Sequence, residues 1–286
     1  MAPTSPVVAR WDLGRRLKEK RDLLGLDGPE VRRLTGISPS YLSDVEGGKK
    51  SIPAARLDTL VGAYEFSRDE AEELHRLRVQ AGERGWWSKY TALFTPEILR
   101  MFGYEHGAEA VLSFNNSVII GLLQTRDYAQ AMIESGSPNT RLAECGRRVE
   151  ARMIRQRRLT GDDPVRLTAV LSEAALRQRI GGPDVLLAQL RHLADLIDAH
   201  PDTLDVLIVP FGAGGHPAIG GSFHLFTFPT SALPSLAWQE TVTSTEIIED
   251  AVKVREYGLA HAGAVKAALS KSESLDLINE VATELN

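Results

Sequence analysis

Cysteine is almost absent. Among 286 residues there is one, Cys145. A lone thiol forms no internal disulfide and no cysteine-based zinc site, so nothing in the chain calls for an oxidising compartment. Long apolar runs are missing too. Stretches such as Val206–Pro210 fall far short of the roughly 20 residues that a membrane-spanning helix needs. The segment Met1 to Arg10 lacks the apolar core of a secretory signal. No sign of charge dominates: 33 Lys and Arg stand against 38 Asp and Glu, net −5, so the whole chain is no polycation. Internal repeats and low-complexity tracts are also lacking. With 43% hydrophobic and 25% charged residues, the composition excludes disordered, collagenous and coiled-coil classes. These absences together predict a reduced, cytoplasmic, soluble protein with no membrane association.

The length fits one large domain or two ordinary ones. Charge is unevenly spread. Residues 1–58 hold 11 Lys and Arg against 8 Asp and Glu, whereas residues 59–286 hold 22 against 30. A slightly basic head on an acidic body is the asymmetry expected where one part meets nucleic acid.

Local signals divide the chain further. Residues 1–9 carry two prolines and no periodicity, which predicts a flexible arm. From Arg10 the pattern is helical, with Leu13, Leu17 and Leu24 on one face and an end near Gly25. Asp27-Gly-Pro-Glu30 has the form of a helix start, and Thr35-Gly-Ile37 of a break. Ser38-Pro39 starts another helix, Ser38 as N-cap and Pro39 in the first turn, which ends at Gly47-Gly48. Pro53 and Ser67 open two more. The head, residues 10–84, is thus predicted as five short helices without a strand, bounded by Gly82-Glu-Arg-Gly85.

Residues 85–286 read as a second, α+β domain. Helical patterns cover Pro96–Phe102, Gly107–Phe114, Thr125–Ser135, the Arg-rich Thr140–Leu159, Pro183–Ala199 and the chain from Glu249 onward. Val165–Leu171, Leu204–Pro210, Phe223–Phe228 and Leu236–Gln239 have strand character. About four strands in a small, mostly antiparallel sheet are expected.

The most specific chemistry lies in the head. A helix, a turn holding Gly36 and Ile37, and a second capped helix make a helix-turn-helix. Ile37, Leu42 and Val45 are spaced to pin the second helix to a core. Ser40, Ser43 and Asp44 are left outward, and Lys49 and Lys50 stand at the helix end, where phosphates would pass.

The run Ser-Pro-Ser-Tyr-Leu-Ser-Asp-Val-Glu-Gly-Gly-Lys-Lys-Ser-Ile-Pro resembles the Xre-type, phage-repressor-like helix-turn-helix family. Its signature positions are Ser43, Glu46, Gly48, Lys49 or Lys50, and Pro53, and the resemblance spans about residues 10–66. It implies that Pro39–Glu46 enters the major groove of double-stranded DNA. The DNA-contacting candidates are Ser38, Pro39, Ser40, Tyr41, Ser43, Asp44, Lys49 and Lys50, with Arg15 and Arg32. Two of these depart from the family pattern: Pro39 stands where an adenine-reading Gln is often found, and Arg32 replaces a small residue. Asp44 also sets a carboxylate on the reading face, able to accept from cytosine but repelling phosphate.

Further along, Trp86-Trp87, Gly121-Leu-Leu-Gln-Thr-x-x-Tyr128-Ala, Arg148-x-x-x-Arg152-x-x-Arg155-Gln156, Leu171-x-Glu173-Ala-Ala-Leu176 and Val209-Pro-Phe-x-Ala-Gly-x-His216 resemble an uncharacterised domain. It follows Xre-type heads in many regulators of filamentous soil bacteria, often described as antitoxin-like. Ile120 departs from the proline usual at that position. The resemblance implies gene regulation, often beside a small partner protein. It implies no known ligand.

Arg148, Arg152 and Arg155 share one helical face. That face is either an anion or acidic-partner site, or a comb pairing with the domain's own carboxylates. The Gly-rich segment 212–215 lacks the end of a phosphate loop and reads instead as the rim of a pocket. Glu173, Phe211, His216, His224 and Trp238 are candidate pocket residues beside it. No metal-binding spacing, serine elbow or other catalytic constellation is legible, so neither a cofactor nor enzyme activity is expected. Trp86 and Trp87 read as packing residues. The resulting expectation is a homodimeric DNA-binding transcriptional regulator, controlled through its second domain by a small molecule or a small partner protein. The alternative is an antitoxin-like protein whose main role is holding that partner.

Overall fold

The computed structural model describes residues 2–136, 141–230 and 233–285. The chain divides into two compact units, Pro3–Lys89 and Tyr90–Asn286.

The first unit is five helices: α1 (Pro6–Leu23), α2 (Gly28–Thr35), α3 (Pro39–Glu46), α4 (Ala54–Ala63) and α5 (Arg68–Ala81). The expected flexible arm is instead helix from Pro6. Ser5 caps α1, its hydroxyl accepting from the Val8 N–H, and Val7 and Ala9 are buried. Proline at a first helical position suits a helix start, so Pro6 does not mark a loop. Asp27 and Glu30 form a reciprocal capping box on α2. Gly36 takes φ +72° and ends that helix, a left-handed conformation that glycine adopts without steric cost. Ser38 then caps α3. Leu13, Leu17, Val31, Ile37, Leu42, Val45, Leu57 and Leu60 share one core. Leu24, beyond the end of α1, is exposed.

Two close approaches fix how α3 is presented. A Cβ on Gly14 would stand 2.3 Å from the Val45 carbonyl oxygen and 2.6 Å from that of Glu46. The end of α3 therefore rests directly on the backbone of α1. Beside it, Arg21 clasps the Glu46 carboxylate through two hydrogen bonds of 2.7 and 3.1 Å and donates a third to the Leu26 carbonyl.

The second unit holds α6 (Pro96–Gly107), β1 (Ala110–Asn115), α7 (Arg126–Gly136), α8 (Leu142–Thr160), β2 (Arg166–Ser172), α9 (Ala174–Arg177) and α10 (Pro183–Ala199). These are followed by β3 (Leu204–Val209), β4 (Phe223–Thr227), β5 (Leu236–Glu240), β6 (Thr245–Ile248), α11 (Ala251–Ala267) and α12 (Lys271–Glu284). The expected start of the Arg-rich helix at Thr140 lies outside the described residues. The sheet order is β3-β2-β1-β4-β5-β6. β1, β2 and β3 are parallel to one another, while β1–β4, β4–β5 and β5–β6 pair antiparallel.

This corrects the expectation of a mostly antiparallel sheet: the sheet is mixed and has six strands. Two strands were not expected: β6, and β1, which overlaps Gly107–Phe114, a segment read as helix. Its Ala, Glu and Leu favour helix locally. Yet Ala110–Asn115 lies between two neighbouring strands with Val111 and Phe114 buried, and pairing and burial override propensity there. Parallel neighbours need long crossover connections, and the chain supplies them through α7 and α8, then α10.

Replacing Gly14 by Val will drive a branched side chain into the α3 backbone and destabilise the first unit by about 3 kcal/mol or more. Thermal melting followed by far-ultraviolet circular dichroism checks this. Gly62→Ala, where the added Cβ meets nothing within 4 Å, is the control and will leave the melt unchanged or raise it.

Candidate functional site

In the first unit the outward face of α3 carries Ser40 and Ser43, both exposed, with Ser38 and Pro39 exposed at its start. Tyr41 is engaged at home: its hydroxyl donates to the Ser51 carbonyl, and the Arg56 guanidinium lies 4.5 Å over its ring. Asp44 is paired with Lys50 at 2.7 Å, and that hydrogen bond holds its carboxyl below the ordinary range. The carboxylate on this face thus carries its own counter-ion. Lys49 is exposed and has no ion pair among the described residues, and neither has the exposed Arg32. Arg15 is turned inward, bridging Asp12 at 2.9 Å and Glu19 at 2.5 Å, so it offers no ready phosphate contact.

In the second unit the sheet register sorts the candidates. Residues two apart on a strand share a face, and so do paired residues on neighbours. Ser113 is opposite His224, and His224 is opposite Trp238. With Asn115 these make one face. Phe114 and Phe223 are on the other. His216 packs against Phe114, ring centres 5.1 Å apart, so it is on the far face from His224. Glu173 accepts from the Phe211 N–H at 2.8 Å and from Arg177 at 2.7 Å, and Phe211 itself is exposed. The expected pocket beside the Gly-rich loop is therefore split by the sheet. Glu173 holds that loop, while His224 and Trp238 belong elsewhere.

They belong to a cavity of about 340 Å³ over the first face. Arg148, Arg152 and Arg155 reach it from α8, Asn115, His224 and Trp238 from the sheet, and Phe94, Met101, Phe102, Met132 and Ile133 add apolar wall. The three arginines fare differently. Arg155 makes a two-pronged pair with Glu105 at 2.7 and 2.8 Å, both side chains nearly out of solvent. Arg148 lies 3.5 Å from Glu144 and 5.0 Å over the Phe94 ring. Arg152 has no carboxylate within ion-pair distance among the described residues. It donates only to the neutral Gln124 Oε1, at 2.7 Å. Burial, with the neighbouring charge of Arg155, pushes its guanidinium down to about 10. The comb of arginines is thus paired at two teeth and unpaired at the middle one.

Several polar groups at this cavity are unsatisfied. Asn115 is 5% exposed and its Nδ2 has no partner, nor has His224 Nδ1 or Arg148 Nε. Burial depresses His224 to about 4, so it is neutral near pH 7. Asn115 and Gln124 were not singled out from sequence. Gln124 stands in the Gly-Leu-Leu-Gln-Thr motif, which was signal enough, because it is held by Ile119, Arg152 and Gln156 at once. Asn115 lay hidden in the strand read as helix. A broader groove of about 690 Å³ beside α11, lined by Pro217, Phe223 and Tyr257, has no unpartnered buried polar atom at it among the described residues. No group of three or more His, Cys, Asp or Glu that could hold a metal occurs among the described residues. Among them, no helix is long and apolar enough to cross a membrane.

Comparison with known families agrees with this division. The pattern of a helix-turn-helix domain matches residues 12–74. That match supports a DNA-binding regulator. The chain belongs to the family described as "Domain of unknown function (DUF5753)", whose pattern matches residues 98–280, more than half of the chain. No curated protein and no solved structure matches the chain.

His224 gives a pH signature. Its folded value is depressed, so between pH 6.5 and about 4 the unfolded chain binds more protons than the folded one. Stability falls as pH drops through that window, and this residue's share is on the order of 1–3 kcal/mol. His224→Gln will flatten the decline. Melting midpoints from pH 7 to pH 4, wild type against variant, measure it, and parallel curves would show that His224 is not the group responsible.

Proposed function

We propose that the protein is a cytoplasmic transcriptional regulator that binds double-stranded DNA as a homodimer and is controlled by a small molecule in its second unit. The observation that carries the DNA half is the presentation of α3: a capped helix with Ser40 and Ser43 exposed on one face, followed by an unpaired Lys49. One short recognition helix buries little surface. Two-fold pairing on half-sites about one helical turn apart supplies the rest. The control half is supported by the cavity in the DUF5753 unit, with a desolvated arginine lacking a counter-ion. A ligand there acts by its differing affinity for two arrangements of the dimer, and so changes operator affinity.

A second reading has one observation in its favour. Val252 and Leu259, seven residues apart and therefore on one face of α11, are 67% and 62% exposed, and Ile219 is 61% exposed. Such apolar side chains suit a small partner protein, as in the antitoxin-like alternative.

The two basic residues after α3 are not equivalent, and this makes the reading testable. Lys49→Ala will weaken binding to every duplex alike and reduce the salt slope by about one. Asp44→Asn will tighten binding several-fold at low salt, because it removes a negative charge and releases Lys50. Ser40→Ala and Ser43→Ala will change preference among operators at constant slope. Fluorescence anisotropy titrations of the full chain on duplexes across a salt series read all three. A changed preference at unchanged slope for Lys49→Ala would contradict the phosphate assignment.

A further inference from the structure

The cavity under α8 has a chemistry that narrows what can fill it. Its unsatisfied polar groups are mainly donors. Arg152 has one neutral acceptor and no carboxylate, Asn115 Nδ2 has no partner, and Arg148 Nε has none. A desolvated guanidinium is costly unless paired with an anion. The protein's own carboxylates do not fill the role. Glu105 is taken by Arg155 through both oxygens, and Glu144 is with Arg148. Glu240, in the cavity lining, is exposed to solvent and attracts Arg152 only from beyond ion-pair distance. The rest of the wall is hydrocarbon and aromatic: Phe94, Ile98, Met101, Phe102, Met132 and Ile133. Methionine's flexible thioether lets such a wall adapt to differing shapes. A volume near 340 Å³ is the share of roughly eleven liquid waters, too small for a dinucleotide and ample for a compact ligand.

We infer that this cavity binds a small monocarboxylate with an apolar body, its carboxylate held by Arg152 and Asn115 and its hydrocarbon against Phe94, Met101, Phe102 and Met132. The inference rests on the reading that the second unit takes a small-molecule effector, and it names the class. Planar guanidinium matches carboxylate geometry, which a lysine would not. The neutral His224 and the indole of Trp238 complete the floor without adding a competing charge. Gln124 is the placeholder: its Oε1 satisfies one N–H of Arg152, and an incoming carboxylate replaces or joins it.

Three eight-carbon probes test this on the full chain by isothermal titration calorimetry and by melting midpoint: octanoate, octanamide and octylammonium. Octanoate is expected to bind and raise the midpoint, with octanamide at least tenfold weaker and octylammonium silent. Arg152→Met is expected to lose at least tenfold in octanoate affinity. Its melt without ligand reports only the Gln124 contact that it loses, so the deciding readout is the ratio of octanoate to octanamide affinity, which a purely structural arginine would leave at the wild-type value. Ile98→Trp, which adds bulk to the cavity from α6, is expected to block octanoate as well. Equal binding of octanamide, or octanoate binding retained by Arg152→Met, overturns the carboxylate assignment and leaves the effector reading standing. Silence from all three probes also overturns the assignment. In that case native mass spectrometry of the full chain with a protein-free cell extract decides the broader reading: a non-covalent adduct keeps it and none removes it.

Discussion

The second unit depends on one buried ion pair. Arg155 and Glu105 meet through two hydrogen bonds, their side chains 10% and 4% exposed, and so tie α8 to α6 above the sheet. A buried pair of this kind adds little net stability over a hydrocarbon pair, yet removing one partner leaves a stranded charge. Its value is positional. It fixes the rotation of α8, and the same rotation sends Arg152, one turn earlier, into the cavity with no acid to meet it. The neighbouring charge of Arg155 also contributes to the depression of Arg152. The pair that anchors the helix thereby makes the site beside it electropositive.

A network of amides completes the frame. Gln156 donates to the carbonyls of Gly121 and Gln124, Gln124 donates to Ile119, and Gln189 on α10 accepts from the Thr125 N–H and donates to Leu123. These bonds satisfy the backbone of an irregular segment that would otherwise be buried at a cost. They also explain why the Gly121–Thr125 motif and the Arg152–Gln156 motif belong together although some thirty residues separate them. In the first unit the Arg21–Glu46 clasp plays the same positional role, seating the end of α3 on α1.

The helices of the first unit were legible in the sequence because their signals are local. Ser38 with Pro39, Asp27 with Glu30, and Gly36 act within one turn, and each acts in the structure as its chemistry predicts. Four strands of the second unit were legible for a similar reason, as short runs rich in β-branched or aromatic residues. β6 and β1 were not. The residues of β1 favour helix, and only pairing with β2 and β4 makes it a strand. Missing β1 concealed Asn115 and turned a mixed sheet into an apparently antiparallel one. The arm at the N-terminus was misread from its prolines, one of which begins α1.

The candidate site shows the same boundary between the two sources. Sequence alone determined that Arg148, Arg152 and Arg155 share a helical face, since 3.6 residues per turn fixes it. It also set Ser40 and Ser43 outward on the recognition helix. Which arginine is left without an acid was decided by tertiary structure, because Glu105 is fifty residues from its partner and no spacing encodes that meeting. The sheet likewise decided that His224 and Trp238 face the cavity while His216 lies on the other side. A strand's alternation assigns two faces, but only the packing of helices onto the sheet determines which face encloses a cavity.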